Sequence, residues 1–211
     1  MTKLVGIVGT NSKESTNRKL LEYIQAAFFY KSDLDLIEIK DVPLIDYREG
    51  NDVPEVVQKI ADQIEEADGV IIATPEYDHS PTASLINLLA WFSYRIHPLS
   101  HKPVMIVGAS HGSLGSSRAQ QVLRQMLKAP EVNAQVLGSE FLLGNSKNAF
   151  DDMGDLKNRD KIREMENIFD EFLIFTKMIN EMNKDNLISI HEFDNFRWDE
   201  INWEEKWNLS V

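Results

Sequence analysis

Unbroken apolar runs alternate along this chain with segments in which apolar residues recur every three or four positions. Val70–Ala73, opened by Gly69 within the stretch Asp68–Thr74, is a short β-branched run of the kind that forms a strand buried on both faces. Lys3–Gly9 (KLVGIVG) and Lys102–Gly108 (KPVMIVG) repeat the pattern. Asp33–Ile39 alternates apolar and acidic residues, as an edge strand does, and Ala134–Leu137 reads as a short fifth strand. Helical spacing fills the intervals at Arg18–Tyr30, Glu55–Ala67, Pro81–Tyr94 and Ser117–Leu127, and a long amphipathic helix is expected over Asp155–Met182. Pro81 stands where a first helical turn tolerates proline. Strands alternating with helices predict an α/β, three-layer sandwich: a five-stranded parallel sheet of order 2-1-3-4-5 with helices on both faces.

That order makes the first, third and fourth strands neighbours. Their C-terminal ends bring three polar loops, 10–17, 75–80 and 109–116, to one crevice, which is where an open parallel sheet takes its ligand. Composition narrows what the ligand is. At 211 residues one buried domain is expected. The chain has no cysteine, so disulfides, thiolate metal sites and cysteine nucleophiles are excluded. Its net charge of −12 argues against a nucleic-acid partner, and an anionic cofactor needs a local cluster of donors. No apolar run reaches the length of a membrane span. The start MTKLVGIVGT lacks the features of a secretory signal, so a cytoplasmic protein without a membrane partner is expected.

The first loop, GTNSKESTN, supplies hydroxyls or amides at Thr10, Asn11, Ser12, Ser15, Thr16 and Asn17, together with the free N–H groups of a helix N-terminus. It is neither GxGxxG nor GxxxxGK[ST], and side-chain hydroxyls with backbone amides suit a phosphate monoester, such as that of FMN, better than a pyrophosphate. The same residues are equally ordinary as a helix cap. In the second loop, TPEYDHS, Tyr77 is placed to lie beside a flat ring. Glu76, Asp78 and His79 invite an acid–base role, but capping and solvation account for them more simply. No residues stand at metal-ligand spacing, so no metal is expected. The third loop, GASHGSLGS, offers Ser110, His111 and Ser113 as donors, and Gly108, Gly112 and Gly115 for close backbone approach. Arg118, one turn into the next helix, is placed to cap a neighbouring loop or to reach across a subunit interface.

Three motifs taken together resemble the NADPH-dependent FMN reductase family, which includes flavin, quinone, azo and chromate reductases. They are G-[ST]-x-x-x-x-S-x-N at Gly9, Thr10, Ser15 and Asn17, then PEYDHSPTASLINLLAW at Pro75–Trp91, then KPV-x-IVGAS-x-G-x-x-G-x-x-RAQ-x-x-LR at Lys102–Arg124. A weaker fourth covers Phe150, Asp151, Gly154 and Leu156. The resemblance implies a flavodoxin-like fold with bound FMN. Its phosphate would lie on Thr10, Ser12, Ser15, Thr16 and Asn17. Its ring would lie against Pro75, Glu76, Tyr77 and Asp78, with Ser110, His111, Gly112 and Gly115 at its other end or wall. It also implies a homodimer or homotetramer. The sequence departs from the family pattern at Ser12, often arginine, at Asp78, usually asparagine, and at Ala83, Ile86 and Ala90, usually glycine, lysine and aspartate.

The expected activity is hydride transfer from NADPH or NADH to FMN, then two-electron reduction of a small-molecule acceptor in a ping-pong scheme. The flavin carries the chemistry, so no side chain is nominated as catalytic, and Tyr77 and His79 are positional candidates only. The alternatives are a flavodoxin-like electron carrier or flavin-binding module without NAD(P)H oxidation, and a partner-binding protein that has lost flavin. Residues 1–182 form the expected flavin-binding domain. Residues 183–211 form an extension carrying Phe193, Phe196, Trp198, Trp203 and Trp207, expected to pack on that domain or on a partner subunit.

Overall fold

In the parallel sheet every residue of the central strands is buried, because successive side chains enter cores on opposite faces. The computed structural model describes residues 1–46 and 52–184. The strands are β1 (Thr2–Val8), β2 (Ser32–Glu38), β3 (Gly69–Ala73), β4 (Pro103–Ala109), β5 (Gln135–Val136) and β6 (Phe141–Leu143). The helices are α1 (Thr16–Ala27), α2 (Glu55–Glu66), α3 (Ala83–Tyr94), α4 (Ser117–Leu127) and α5 (Arg159–Lys184). Val5, Ile7, Val70, Ile72, Val104 and Ile106 face the core under α2, α3 and α4. Leu4, Val8, Ile71, Ala73, Met105 and Val107 face the core under α1 and α5, where Phe28 stacks on Phe169 with ring centroids 4.2 Å apart. The order is β2-β1-β3-β4-β5 and every pairing is parallel. It is the flavodoxin-like arrangement that the alternation predicts.

Besides shifts of two or three residues at the ends of α1 and at the start of α3, which leave Pro81 ahead of the first turn, two elements differ from expectation. The fifth position in the sheet is shared: β5 pairs with Pro103–Val104 at the start of β4, and β6 pairs with Val107–Ala109 at its end. Two side chains of α4 hold the break between them. Gln120 Nε2 donates to the Phe141 carbonyl at 2.9 Å, and Arg124 Nη1 donates to the Leu137 carbonyl. The RAQQVLR segment is therefore a fastening of the sheet edge. The long helix starts four residues later than its apolar spacing suggests, because Asp151 accepts from the N–H groups of Met153 and Asp155 and closes a turn. Gly154 stands in that turn at φ 90°, and Asn158 then caps the first turn of α5.

The end of β1 lies hard against β3. Gly9 N–H donates to the Ala73 carbonyl at 2.8 Å, and a Cβ at Gly9 would fall 2.5 Å from that oxygen. Gly9→Ala is expected to cost about 2 kcal/mol, since backbone has to shift to admit the methyl group. Urea denaturation checks this: the midpoint falls while the slope stays unchanged.

Candidate functional site

The C-terminal ends of β1, β3 and β4 open a cleft of about 440 Å³. Such a volume is in the range of small-molecule and cofactor sites. From the first loop Ser12, Ser15, Thr16 and Asn17 line it, with Glu14. From the second come Pro75, Glu76 and Tyr77, and from the third Ser110, His111 and Gly112, with Ala109, Ser113, Leu114 and Arg118. Thr10, Asp78 and Gly115 were also expected there and lie off it. Thr10 is buried, and its Oγ1 accepts the Ser12 N–H at 3.2 Å. Asp78 sits at the tip of a two-residue turn that carries it clear of the cleft. Gly115, at φ 59°, is buried under β6, where a Cβ would meet the Leu142 carbonyl carbon at 2.6 Å.

Ser15 caps α1 with its Oγ, which accepts from Asn17 N and Arg18 N at 3.2 Å each. The positive end of the helix dipole, the Ser15 hydroxyl and the exposed Ser12 side of the loop therefore face the same end of the cleft. Arg18 braces this loop from behind. Its guanidinium donates to the carbonyls of Ser12 and Lys13 and pairs with Glu38. Charge for an anion at this end thus comes from main-chain donors. The side chain of Asn17, expected on a phosphate, is buried and bonded to both main-chain groups of Ala109 at 2.8 Å. Thr16 Oγ1 is 2.8 Å from Ser146 Oγ.

The opposite end is built from main chain. Tyr77 and Ser80 exchange N–H···O bonds of 3.0 and 2.9 Å around Asp78 (φ 48°) and His79 (φ 65°), a tight left-handed turn that leaves Tyr77 54% exposed at the rim. The segment leaving β6 props the third loop: Ser110 N donates to Leu143, Asn145 N to Gly112 and Ser146 N to Ser110. Among the described residues the N–H groups of Glu76, His111 and Gly112 have no partner, and nothing stands within 4 Å of the position a Cβ would take on Gly112. A flat ligand with acceptors along one edge fits such a recess, and a monoester at the α1 end completes the donor set of FMN. Its chemistry when bound is two-electron transfer.

Glu76 and Arg118 join the two ring-side loops. Ser116, which precedes α4, has φ 67° and offers no side-chain cap. Glu76 caps the helix instead, accepting from Arg118 N at 3.1 Å and Ala119 N at 3.4 Å, while Arg118 Nε donates to its other oxygen at 2.8 Å. Arg118 Nη1 donates to His79 Nε2 at 2.9 Å. Burial alone would raise the Glu76 carboxyl, but the Arg118 guanidinium and the two helix N–H groups outweigh it and hold it below the usual carboxylate range. Ser146, Glu14 and Leu114 were missed from sequence. Glu14 and Leu114 stand in the first and third loops but offer neither a hydroxyl nor an amide, and Ser146 meets the cleft wall only through Thr16, 130 positions away.

The family described as NADPH-dependent FMN reductase matches residues 2–148. NADH:(hydroxy)cinnamate reductase subunit CrdA of Vibrio ruber is 50% identical over 84% of this chain and 89% of its own length. NADH-dependent flavin reductase subunit 2 of Lactobacillus johnsonii is 34% identical over 83% and 97%. The solved structure of the flavoenzyme NAD(P)H:(acceptor) oxidoreductase FerB from Paracoccus denitrificans superposes with TM-score 0.75, covering 84% of this chain and 98% of that one at 24% identity, which speaks for the fold. The chain belongs to the NADPH-dependent FMN reductase family and is an oxidoreductase that works with FMN and a reduced nicotinamide nucleotide.

Because the folded pKa of Glu76 is lowered, its stabilisation is complete above the unfolded carboxyl value and is lost as pH falls through the lower folded one. Glu76→Gln is expected to lower Tm at neutral pH by about 2–4 °C, about 1 kcal/mol for a domain of this size. Thermal melts along a pH series check the sign: the gap to the parent narrows below about pH 4 and does not widen.

Proposed function

We propose that this member of the NADPH-dependent FMN reductase family reduces a small planar acceptor, a flavin or quinone, with the nicotinamide nucleotide and the acceptor using one opening in turn. The carrying observation is the single cleft. It joins a phosphate-suited helix N-terminus to a ring-sized recess of unpaired N–H groups and leaves the rim open at Tyr77 and Leu114. Ser12, Ser15 and the Thr16 N–H at the start of α1 would hold the phosphate, the next N–H groups being capped by Ser15. Pro75, Glu76 and Tyr77 would lie along the ring, with Ser110, His111 and Gly112 at its polar edge. Relatives named as flavin and quinone reductases support the acceptor class. NADH is favoured over NADPH, because the guanidinium at the rim, Arg118, is committed to Glu76, and two relatives are named NADH-dependent. The reaction is assigned to the cytoplasm, where reduced nicotinamide nucleotides are kept. No helix of the described residues is long and apolar enough to cross a membrane.

The functional unit is a homodimer formed over α3. α3 carries no charged residue, and an uncharged outward helix face with an exposed apolar side chain suits an interface. Its outward positions are Ala83, Ile86, Ala90 and Ser93, with Ile86 37% exposed. The Trp-rich segment 183–211 lies outside the described residues except for its first two. It is assigned to packing on this domain or on a partner subunit. Its point of departure is known: Asn180 and Asn183 bond the carbonyls of Asp68 and His101, at the N-terminal ends of β3 and β4 and away from the cleft.

Anaerobic NADH is expected to bleach the visible flavin band of the holoprotein, and a quinone to restore it. Initial rates with both substrates varied are expected to give parallel double-reciprocal lines. A flavin that NADH leaves oxidised identifies the electron-carrier alternative. Light scattering on a sizing column is expected to return twice the chain mass, and Ile86→Glu a single chain mass. A monomeric parent overturns the dimer.

A further inference from the structure

We propose that Asn17 is a positioning residue that fastens the ring-side loop of the flavin site to the helix that receives the phosphate, and that its side chain is not a phosphate ligand. The inference rests on the FMN-binding assignment above. β3 stops at Ala73, paired with Val107, whereas β4 runs on to Ala109. The β3-facing N–H and C=O of Ala109 therefore extend past the last residue of their neighbouring strand. Buried main-chain groups need partners. Asn17 supplies both: its Oδ1 accepts the Ala109 N–H and its Nδ2 donates to the Ala109 carbonyl, each at 2.8 Å, where a longer β3 would have used two of its residues. Asn17 and Ala109 are both almost fully buried, at 2% and 1% exposure. A carboxamide presents a donor and an acceptor side by side, and among side chains this short only asparagine has one.

Ala109 is also the residue from which Ser110, His111 and Gly112 depart. On the other edge Ser110 N donates to the Leu143 carbonyl. The neighbouring Thr16 reaches Ser146, whose N–H donates to the Ser110 carbonyl at 3.0 Å. The first turn of α1 thus holds the root of the ring-side loop at two points. With Oδ1 and one Nδ2 hydrogen of the Asn17 carboxamide spent on Ala109 and the side chain almost fully buried, the proposed phosphate draws on the Thr16 N–H, the loop main chain and hydroxyls such as Ser15.

The two roles separate on flavins with and without a phosphate. The full-length apoprotein is titrated with FMN and with riboflavin by fluorescence quenching, for the parent, Asn17→Leu, Asn17→Ala and Ser15→Ala. Loosening the ring-side loop is expected to raise Kd for FMN and riboflavin by the same factor, about tenfold, in both Asn17 variants. Ser15→Ala is expected to raise Kd for FMN only. Asn17 variants that weaken FMN and spare riboflavin, or that change neither, overturn the proposal. A second measurement needs no ligand. Hydrogen exchange at the Ala109 amide of the parent apoprotein is expected to be slow despite its place at a strand end, and to speed at least about tenfold in Asn17→Ala. Fast exchange in the parent overturns the strut even if an Asn17 variant fails to fold. A parent that binds neither flavin while its Ala109 amide stays protected sinks the FMN assignment and leaves the strut standing.

Discussion

A parallel sheet that ends in divergent loops leaves main-chain N–H and C=O groups where the next strand has already turned away. Satisfying those groups is the constraint on which the rest of this molecule depends. Four crossings meet it. Gly9 and Thr74 continue the ladder, donating to Ala73 and Val107. Thr82 Oγ1 donates to the Gly9 carbonyl and also caps α3 by accepting the Leu85 N–H. The Asn17 carboxamide closes on Ala109. Each crossing runs from a helix N-terminus or a neighbouring strand to a strand end, so each also fixes the direction in which a loop leaves. The cleft is what remains between loops whose roots are pinned in this way.

Electrostatics enters as a local problem inside an acidic molecule. A chain at −12 repels an anion at long range, and Glu14 and Glu76 stand at the cleft itself. Both nearby guanidiniums are spent on carboxylates, Arg18 on Glu38 and Arg118 on Glu76. The phosphate site proposed above is the α1 N-terminus, whose partial positive charge acts over a few ångströms and is little affected by distant acids. Ser12, where the family often has arginine, is consistent with that economy. The Arg118–Glu76 pair has a different task. It caps a helix whose own cap residue is in a left-handed conformation, and so binds the turn at Asp78–His79 to α4.

Much of this was legible in the sequence, for a stated reason. Strands β1, β3 and β4 are buried on both faces, and double burial writes an unbroken apolar run that no other local structure requires. Loops following such strands had to converge once the order was set, so the residues at the cleft could be named by loop. What failed to appear were roles fixed by a partner far along the chain. Asn17 reads as one of several polar residues before a helix until Ala109, 92 positions away, is known to lie against it. Gly115 reads as a ligand-facing glycine until β6 covers it. β6 was invisible because three residues are too few to show a period, and Phe141–Leu143 pairs with only Val107–Ala109 at the end of β4. The start of α5 was displaced by an aspartate turn at Asp151–Asp155 that holds the backbone out of the helix until Asn158 caps it.

The distribution of charge along the helices carries a further step. α1, α2 and α5 all include acidic residues, whereas α3 has no charge and α4 has arginines without a single carboxylate. α3 and α4 follow β3 and β4 and cover the same face of the sheet, so the carboxylate-free surface begins where the cleft does. In a molecule this acidic, a patch that lacks carboxylates is the least repulsive face for a copy of itself, since unpaired like charges held together at an interface are destabilising. The same two strands that release the ring-side loops therefore also set the helices on which self-association is proposed. Arg118 and Tyr77 stand at the boundary between the two. Any contact formed across α3 and α4 would border the open rim of the cleft, which makes access to the ring and the packing of two subunits parts of one geometric problem.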